Sequence, residues 1–328
     1  MVTIRDVAKR AGVSVATVSN ALTENRSVNA DTRKKVLQIA KELNYSPNLI
    51  ASSMVTKKTN IIGVFLYNFV EKNFLPYSEF LKGVMEKCQS SGQRVLIYSD
   101  VTEEQFRASF VMGHEPMDAG IIFFPQEDEF RAKDLKSACL PFVFVGKCED
   151  FSFVDCENKK LTYNLTLKLI KAGHDHICFF NSDKNWALTQ DRHEGFVSAL
   201  TENGIGIENC LEYNIGKDAD AEMCFKESFE KGYRAFVVEN PAMVRYIYDF
   251  CKQNGYGIGK DVSVVFLGYD TQFELVEPRL TCAKLSYEKL GVMALDLIEK
   301  IKIDNKPREK YLDAEIIEGN SIAKIKRK

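Results

Sequence analysis

Three short helices are predicted at the start of the chain, where apolar residues recur at the i, i+3, i+4 and i+7 spacing of a single helical face. The inner positions are Ile4, Val7, Ala8 and Ala11 in a helix over 4–11, Val18 and Leu22 in a helix over 15–22, and Val36, Ile39 or Ala40, and Leu43 in a helix over 30–44. Three helices of this length bury only a small core, so we expect this segment to be marginally stable alone.

The first two of these helices have the spacing of a helix-turn-helix. Ala8 is small enough for close helix contact, Gly12 permits a left-handed turn, and Val18 fills the gap from the second helix. Thr3, Ser14 and Asn29 each precede one of the three helices and are suited to cap it. A unit of this kind places its second helix in the major groove of DNA.

From residue 60 onward, strand-like apolar runs alternate with amphipathic helical stretches. The runs are 61–66, 94–98, 120–124, 142–145, 177–180, 235–238 and 263–267. This alternation predicts parallel sheets covered by helices. Because the rhythm occurs twice, we predict two doubly wound α/β lobes that face each other across a ligand cleft.

Charge is distributed unevenly along the 328 residues. The first 58 contain ten Lys or Arg and four Asp or Glu, so they carry +6, and the rest carries −8 because the whole chain carries −2. A basic head on an acidic body is typical of a DNA-binding domain joined to a neutral-ligand domain, although a chance cluster would look the same.

Several other classes of site and location are not indicated. The nine cysteines form no C-x-x-C pair, and His174-Asp175-His176 lacks further ligands in sequence, so we expect no metal or cofactor. No nucleophile motif indicates an enzyme. The chain shows no apolar signal region and no run of about 20 apolar residues, which predicts a cytoplasmic protein that does not enter a membrane.

The second helix is the predicted DNA-reading element, since it leaves Val15, Ala16, Thr17, Ser19 and Asn20 exposed. Asn20 can make a bidentate amide contact with a base edge, and Val15 and Ala16 offer apolar surface for a thymine methyl group. The alternative is that these are ordinary solvent positions on a packed helix.

A short connector follows the head. Pro47 ends the third helix near Tyr45 and can begin a new one. Residues 48–55 have a helical pattern, with Ala51 and Met54 on one side, but eight residues are too few for a stable isolated helix. We therefore expect it to fold only on DNA and against a second copy, whereas an ordinary linker would not need this apolar side.

With these features the chain resembles the LacI/GalR family of transcriptional regulators over nearly its full length. The resemblance implies that Ala51, Met54 and Val55 enter the minor groove, with Met54 as an apolar wedge in the position usually held by leucine. It also implies a set of residues that contact DNA phosphates, namely Thr3, Ser14, Thr17, Ser19, Asn29, Thr32 and Tyr45.

The body carries further family motifs, including Arg192-His193-Glu194-Gly195-Phe196 and Gly268-Tyr269-Asp270. By resemblance, Arg192 and Asp270 form a polar clamp suited to paired hydroxyls of a sugar, and Asn240 lies where some sugar-binding relatives place an amide. Phe74 and Trp186 are candidate stacking walls, although Trp186 could equally be a core or rim aromatic.

The domain boundaries follow from these assignments. Residues 1–45 form an all-α helix-turn-helix head, 46–59 a hinge helix and linker, and 60–328 a periplasmic-binding-protein-like body. Within the body we assign about 60–156 and 288–315 to lobe 1, and about 157–287 and 316–328 to lobe 2.

The sequence therefore predicts a sequence-specific DNA-binding regulator, most simply a repressor. Its expected partners are a pseudopalindromic double-stranded operator, a second copy of the chain, and a small effector such as a sugar or sugar phosphate. Two alternatives remain open. A global regulator with a phosphoprotein corepressor would share these features, and a solute-binding protein would share the body but not the head.

Overall fold

The computed structural model describes residues 2–23, 28–45, 58–66, 74–99, 104, 117–123, 140–148, 150–184, 187–216, 220–304 and 306–325. Contacts divide the chain into two units, Met1–Thr59 and Asn60–Lys328. Within those stretches, no helix combines the length and the apolar character that a membrane span requires.

The first unit contains three helices, α1 (Ile4–Ala11), α2 (Val15–Thr23) and α3 (Ala30–Glu42). Near the start of each, a side-chain oxygen accepts a backbone N–H that has no partner within the helix: Asp6 from Thr3 at 2.8 Å, Ser14 from Thr17 at 3.0 Å, and Asn29 from Asp31 at 2.9 Å. The capping predicted from Thr3, Ser14 and Asn29 is therefore confirmed, because each contributes to one of these caps.

The turn between α1 and α2 has the predicted geometry. Gly12 adopts a left-handed φ of 67° and its N–H bonds to the carbonyl of Ala8, which a residue with a Cβ would disfavour. Helix α3 ends two residues before the predicted end, since Asn44 is also left-handed, with φ 49°. The small core consists of Val7, Ala8, Ala11, Val18, Ala21, Val36, Ile39 and Ala40.

Two six-stranded sheets organise the second unit. The first has the order β11-β5-β4-β3-β1-β2 and its paired strands are parallel. Its strands are β1 (Ile61–Leu66), β2 (Arg94–Ser99), β3 (Ala119–Phe123), β4 (Phe142–Val145), β5 (Phe153–Cys156) and β11 (Glu309–Leu312). Central strands such as β3 are buried on both faces, as expected for a parallel sheet covered by helices.

The second sheet has the order β12-β10-β9-β8-β6-β7, and only its edge strand β12 pairs antiparallel among the described strands. Its strands are β6 (Ile177–Ser182), β7 (Leu211–Ile215), β8 (Ala235–Val238), β9 (Ser263–Phe266), β10 (Thr281–Lys284) and β12 (Glu315–Ile317). The prediction of two lobes built from largely parallel sheets is confirmed.

Helices cover these sheets, and their bounds are α4 (Phe74–Ser90), α5 (Asn158–Lys171), α6 (Ala187–Glu202), α7 (Ala221–Glu230), α8 (Pro241–Gln253) and α9 (Tyr287–Asp304). The chain passes from one sheet to the other three times: between β5 and α5, between β10 and α9, and between β11 and β12. Lobe 1 is therefore completed by a segment that follows lobe 2 in sequence.

Candidate functional site

The outer side of α2 presents the residues predicted to read bases. Val15 is 41% exposed and Ala16 is exposed, whereas Asn20 is half-buried. The intervening Val18 is fully buried against α1 and α3. The core therefore fixes how α2 presents this face, as a recognition helix requires.

The predicted phosphate contacts lie at the helix starts and along the same surface. Thr3, Ser14 and Asn29 are exposed, and Thr17, Ser19, Thr32 and Tyr45 are half-buried. Their roles toward DNA remain predictions. The hinge positions Ala51, Met54 and Val55 lie outside the described residues, as do Trp186 and the side chain of Phe74.

In the second unit, polar side chains gather where strands end. Ser182 is the last residue of β6, Glu239 follows β8, and Asp155 is the penultimate residue of β5. The carboxyl ends of parallel strands are where open α/β sheets bind ligands. Strand β5 belongs to the first sheet, and β6 and β8 belong to the second. The cluster therefore lies where the two lobes meet.

Arg192, on α6, is the centre of this cluster. Its Nε donates to Oδ1 of Asn158 at 3.2 Å and its Nη1 donates to Oγ of Ser182 at 3.2 Å. Nη1 also lies 3.3 Å from Oε1 of Glu239. The carboxylate that pairs with Arg192 in the structure is therefore Glu239.

Asp155 is a second carboxylate close to Arg192. Its Oδ1 accepts from the backbone N–H of Cys156 at 2.6 Å, and its Oδ2 accepts from that of Lys147 at 2.9 Å. Burial raises the pKa of Asp155 to about 6, although these two N–H donors and the Arg192 guanidinium act to lower it. Asn158 donates to the same carboxylate at 3.3 Å, so Asp155, Asn158 and Arg192 form one connected network.

One further contact joins the lobes beside this network, and the charge of Arg192 also influences a second group of lobe 1. Nζ of Lys147, which follows β4, lies 2.9 Å from Oδ1 of Asp191 on α6. Tyr287 begins α9, and burial raises the pKa of its phenol while Arg192 acts to lower it. Lobe 1 therefore contributes charged and polar groups next to the lobe 2 arginine.

Asp270 and Asn240, the other predicted effector contacts, act locally as helix caps. Oδ1 of Asp270 accepts from the backbone N–H of Gln272 at 2.9 Å, at the start of a 3₁₀ turn over Thr271–Leu275. Oδ1 of Asn240 accepts from Ala242 at 2.8 Å at the start of α8. Their predicted contact with an effector remains a prediction.

Sequence reasoning missed Asp155, Asn158, Ser182 and Glu239. Ser182 and Glu239 could have been found by noting polar residues at the ends of predicted strands. Asp155 could not, because the short strand β5 was not among the predicted runs.

The histidine pair at 174 and 176 forms a turn. Nε2 of buried His174 lies 2.8 Å from Oγ of Ser263, and Nδ1 of His176 lies 2.9 Å from Oδ1 of Asp175. Gly173 precedes them with φ 105°. Among the described residues no group of three or more His, Cys, Asp or Glu side chains is arranged to hold a metal ion.

Comparison with known proteins covers both units. Residues 3–48 match the family described as bacterial regulatory proteins, lacI family, and residues 166–322 match the periplasmic binding protein-like domain. The HTH-type transcriptional regulator MalR of Streptococcus pneumoniae serotype 4 is 27% identical over 98% of this chain and 99% of that protein. MalR of Staphylococcus xylosus is 29% identical over 62% of each chain.

The fold is also that of a solved family structure. The Lac repressor dimer bound to operator and the anti-inducer ONPF matches with a TM-score of 0.82 and 21% identity, over 98% of this chain and 99% of that one. The matched relatives are transcriptional regulators rather than enzymes. The chain belongs to the LacI family of bacterial regulatory proteins, with a helix-turn-helix head followed by a periplasmic-binding-protein-like body.

Proposed function

We propose that this transcriptional regulator binds a pseudopalindromic operator as a homodimer, represses transcription from it, and is controlled by a small effector, a sugar or sugar phosphate, in the cleft between its lobes. The observation that carries the effector half is the polar network centred on Arg192, which uses residues from both sheets at the carboxyl ends of their strands. An occupant of that site changes how the lobes contact each other, because it lies between them.

The DNA half of the proposal rests on the head. The first 58 residues carry a charge of +6, which favours phosphates, and α2 holds Val15, Ala16 and Asn20 on a face fixed by buried Val18. We propose that the hinge over 48–55, with Ala51, Met54 and Val55 in the minor groove, folds only when two copies meet on DNA. Cleft occupancy then biases hinge pairing, and DNA must change effector affinity by the same factor.

A regulator controlled by a phosphoprotein corepressor is less well supported. Such a partner needs cations that are free to pair with its phosphate. On the outer helices α4 and α9, Lys82, Lys87 and Lys302 each lie within 2.9 Å of a carboxylate oxygen, from Glu288, Asp296 and Glu299 respectively. Exposed pairs of this kind are weak and compete little with a phosphate, so what disfavours that scheme is that it leaves the cleft network without a role.

Selection from a random duplex library with the purified full chain tests the DNA half. We expect enrichment of a two-fold symmetric sequence with half-sites about one helical turn apart. Enrichment of an unsymmetric site, or of none, contradicts the proposal. A thermal-shift screen against sugars and sugar phosphates then tests the effector half, since ligands of the native state raise its melting temperature.

Asn20→Ala is expected to weaken binding to the selected operator by about 1–2 kcal/mol, because a bidentate amide contact with a base is lost. Fluorescence anisotropy with specific and scrambled duplexes measures the change, and scrambled binding should not alter. Gln38→Ala is the control, since it removes an exposed amide from α3 instead of α2. An unchanged ratio of specific to scrambled affinity in Asn20→Ala means that Asn20 does not read a base.

A further inference from the structure

A guanidinium usually binds carboxylates or phosphates. That of Arg192 already pairs with a carboxylate of the protein itself. Nε and Nη1 are taken by Asn158, Ser182 and Glu239. Among the residues that the structure describes, none accepts a hydrogen bond from Nη2. One arm of the guanidinium is therefore left for a ligand, while its charge is already compensated.

Two carboxylates compensate the positive charge of Arg192. Asp155 is buried, and Arg192 is near enough for its positive charge to act to lower the pKa of this carboxyl. Glu239 lies at the open end of β8, and its side chain is 34% exposed, against 10% for Arg192. An anion bound to the free arm of Arg192 would lie close to the carboxylate that already pairs with Nη1 and near that of Asp155, and this repulsion is costly in the low dielectric of the site.

We propose that Glu239 determines ligand class: it occupies Arg192 and so restricts the cleft to uncharged, hydroxyl-rich effectors, excluding phosphorylated and other anionic ones. An exposed carboxylate accepts from one hydroxyl while the free arm of Arg192 donates to its neighbour, which matches a vicinal diol. This inference rests on the proposed effector cleft and narrows it from sugars and sugar phosphates to uncharged sugars.

Inorganic phosphate is a suitable probe, because it tests the exclusion directly and does not require that the effector be known. Calorimetric titration of the full chain without DNA should show no saturable phosphate binding in the native protein. Glu239→Gln should gain such binding, at least about tenfold tighter than any in the native protein, since the guanidinium is released. Adding Arg192→Met to Glu239→Gln should abolish the gain, which locates it at this arginine.

Glu194→Gln is the matched control, because it removes a carboxylate from the same helix as Arg192 but one that pairs with Lys159 at 3.0 Å. It should bind phosphate no better than the native chain. Glu239→Ala provides a second variant and should behave like Glu239→Gln. Saturable phosphate binding by the native chain that disappears in Arg192→Met, or no gain in either Glu239 variant, overturns the inference. Operator selection is a separate measurement, so a failure of the proposed DNA binding is distinguishable from either result.

Discussion

Arg192→Met is expected to lower the free energy of unfolding of the body by about 3–5 kcal/mol at pH 8, because the buried carboxylate of Asp155 is then left without the positive charge that compensates it. Methionine keeps most of the apolar stem of the side chain. The loss of stability therefore comes from removing the guanidinium and not from creating a cavity. Denaturant unfolding monitored at the single Trp and by circular dichroism measures it.

The loss should shrink as the pH falls, and the pKa of Asp155 explains why. Burial raises that pKa from an ordinary value of 3.8 to about 6, so between these values the folded chain binds the proton more strongly than the unfolded chain. This carboxyl therefore contributes less to stability as the pH rises through that window. Without Arg192, which acts to lower the pKa, the folded-state pKa rises further and the window extends upward.

At pH 5 the carboxyl of Asp155 is largely protonated with or without Arg192. The variant should then lose its hydrogen bonds to Asn158 and Ser182 and its partly exposed ion pair with Glu239, together about 1–2 kcal/mol. Asp155→Asn combined with Arg192→Met should remove most of the pH dependence. If the loss is the same at pH 5 and pH 8, Asp155 is not the group that Arg192 compensates.

The head could be predicted almost completely from the sequence, because its determinants are local. A left-handed turn needs Gly12, and the caps at Ser14 and Asn29 lie within three residues of the N–H groups that they bind. The main error was the end of α3, where Asn44 takes a left-handed conformation that the apolar pattern does not encode. Periodicity indicates which face is buried but not the residue at which a helix stops.

In the body, most runs that were predicted correctly are central strands buried on both faces, such as β1 and β3, and the exception is the partly buried edge strand β2. The strands that were missed are short or lie at sheet edges. Strands β7 and β11 are only partly buried edge strands, and β10 is four residues that include Thr281 and Lys284. Their conformation is set by pairing with distant segments rather than by their own sequence.

In the candidate site, too, local sequence predicts some residues, and the pairing of distant segments determines the others. Arg192 was found because it belongs to a local motif with Gly195 and Phe196. Its predicted role beside Asp270 in holding an effector stays a prediction, and Glu239, the residue whose carboxylate pairs with it in the structure, was not predicted. Which acidic residue reaches Arg192 depends on the order of β6, β8 and β9 in the sheet, and no local pattern encodes that order.

Gly195→Val is the second variant for which we expect a large effect, with a loss of at least about 3 kcal/mol in unfolding free energy. Helices α5 and α6 approach so closely here that a Cβ on Gly195 would lie 2.2 Å from the carbonyl oxygen of Lys159 and 3.1 Å from the backbone nitrogen of Tyr163. Backbone atoms cannot turn aside as a side-chain end can, so the helices must separate. Gly195→Ala should lose less unfolding free energy, because the higher helix propensity of alanine offsets about 1 kcal/mol of the cost of the clash.

Separation of these helices should also disturb the site. Lys159 follows Asn158 at the start of α5, and Gly195 is three residues after Arg192 on α6, so the close contact lies beside the 3.2 Å hydrogen bond that joins Arg192 to Asn158. We therefore expect Gly195→Ala, which should still fold, to weaken the response to any effector found by thermal-shift screening. Gln190→Val places the same β-branched side chain at an exposed position of α6 and should cost about 1 kcal/mol or less. Equal losses in Gly195→Val and Gln190→Val would show that helix propensity, and not the contact with Lys159, makes glycine necessary at position 195.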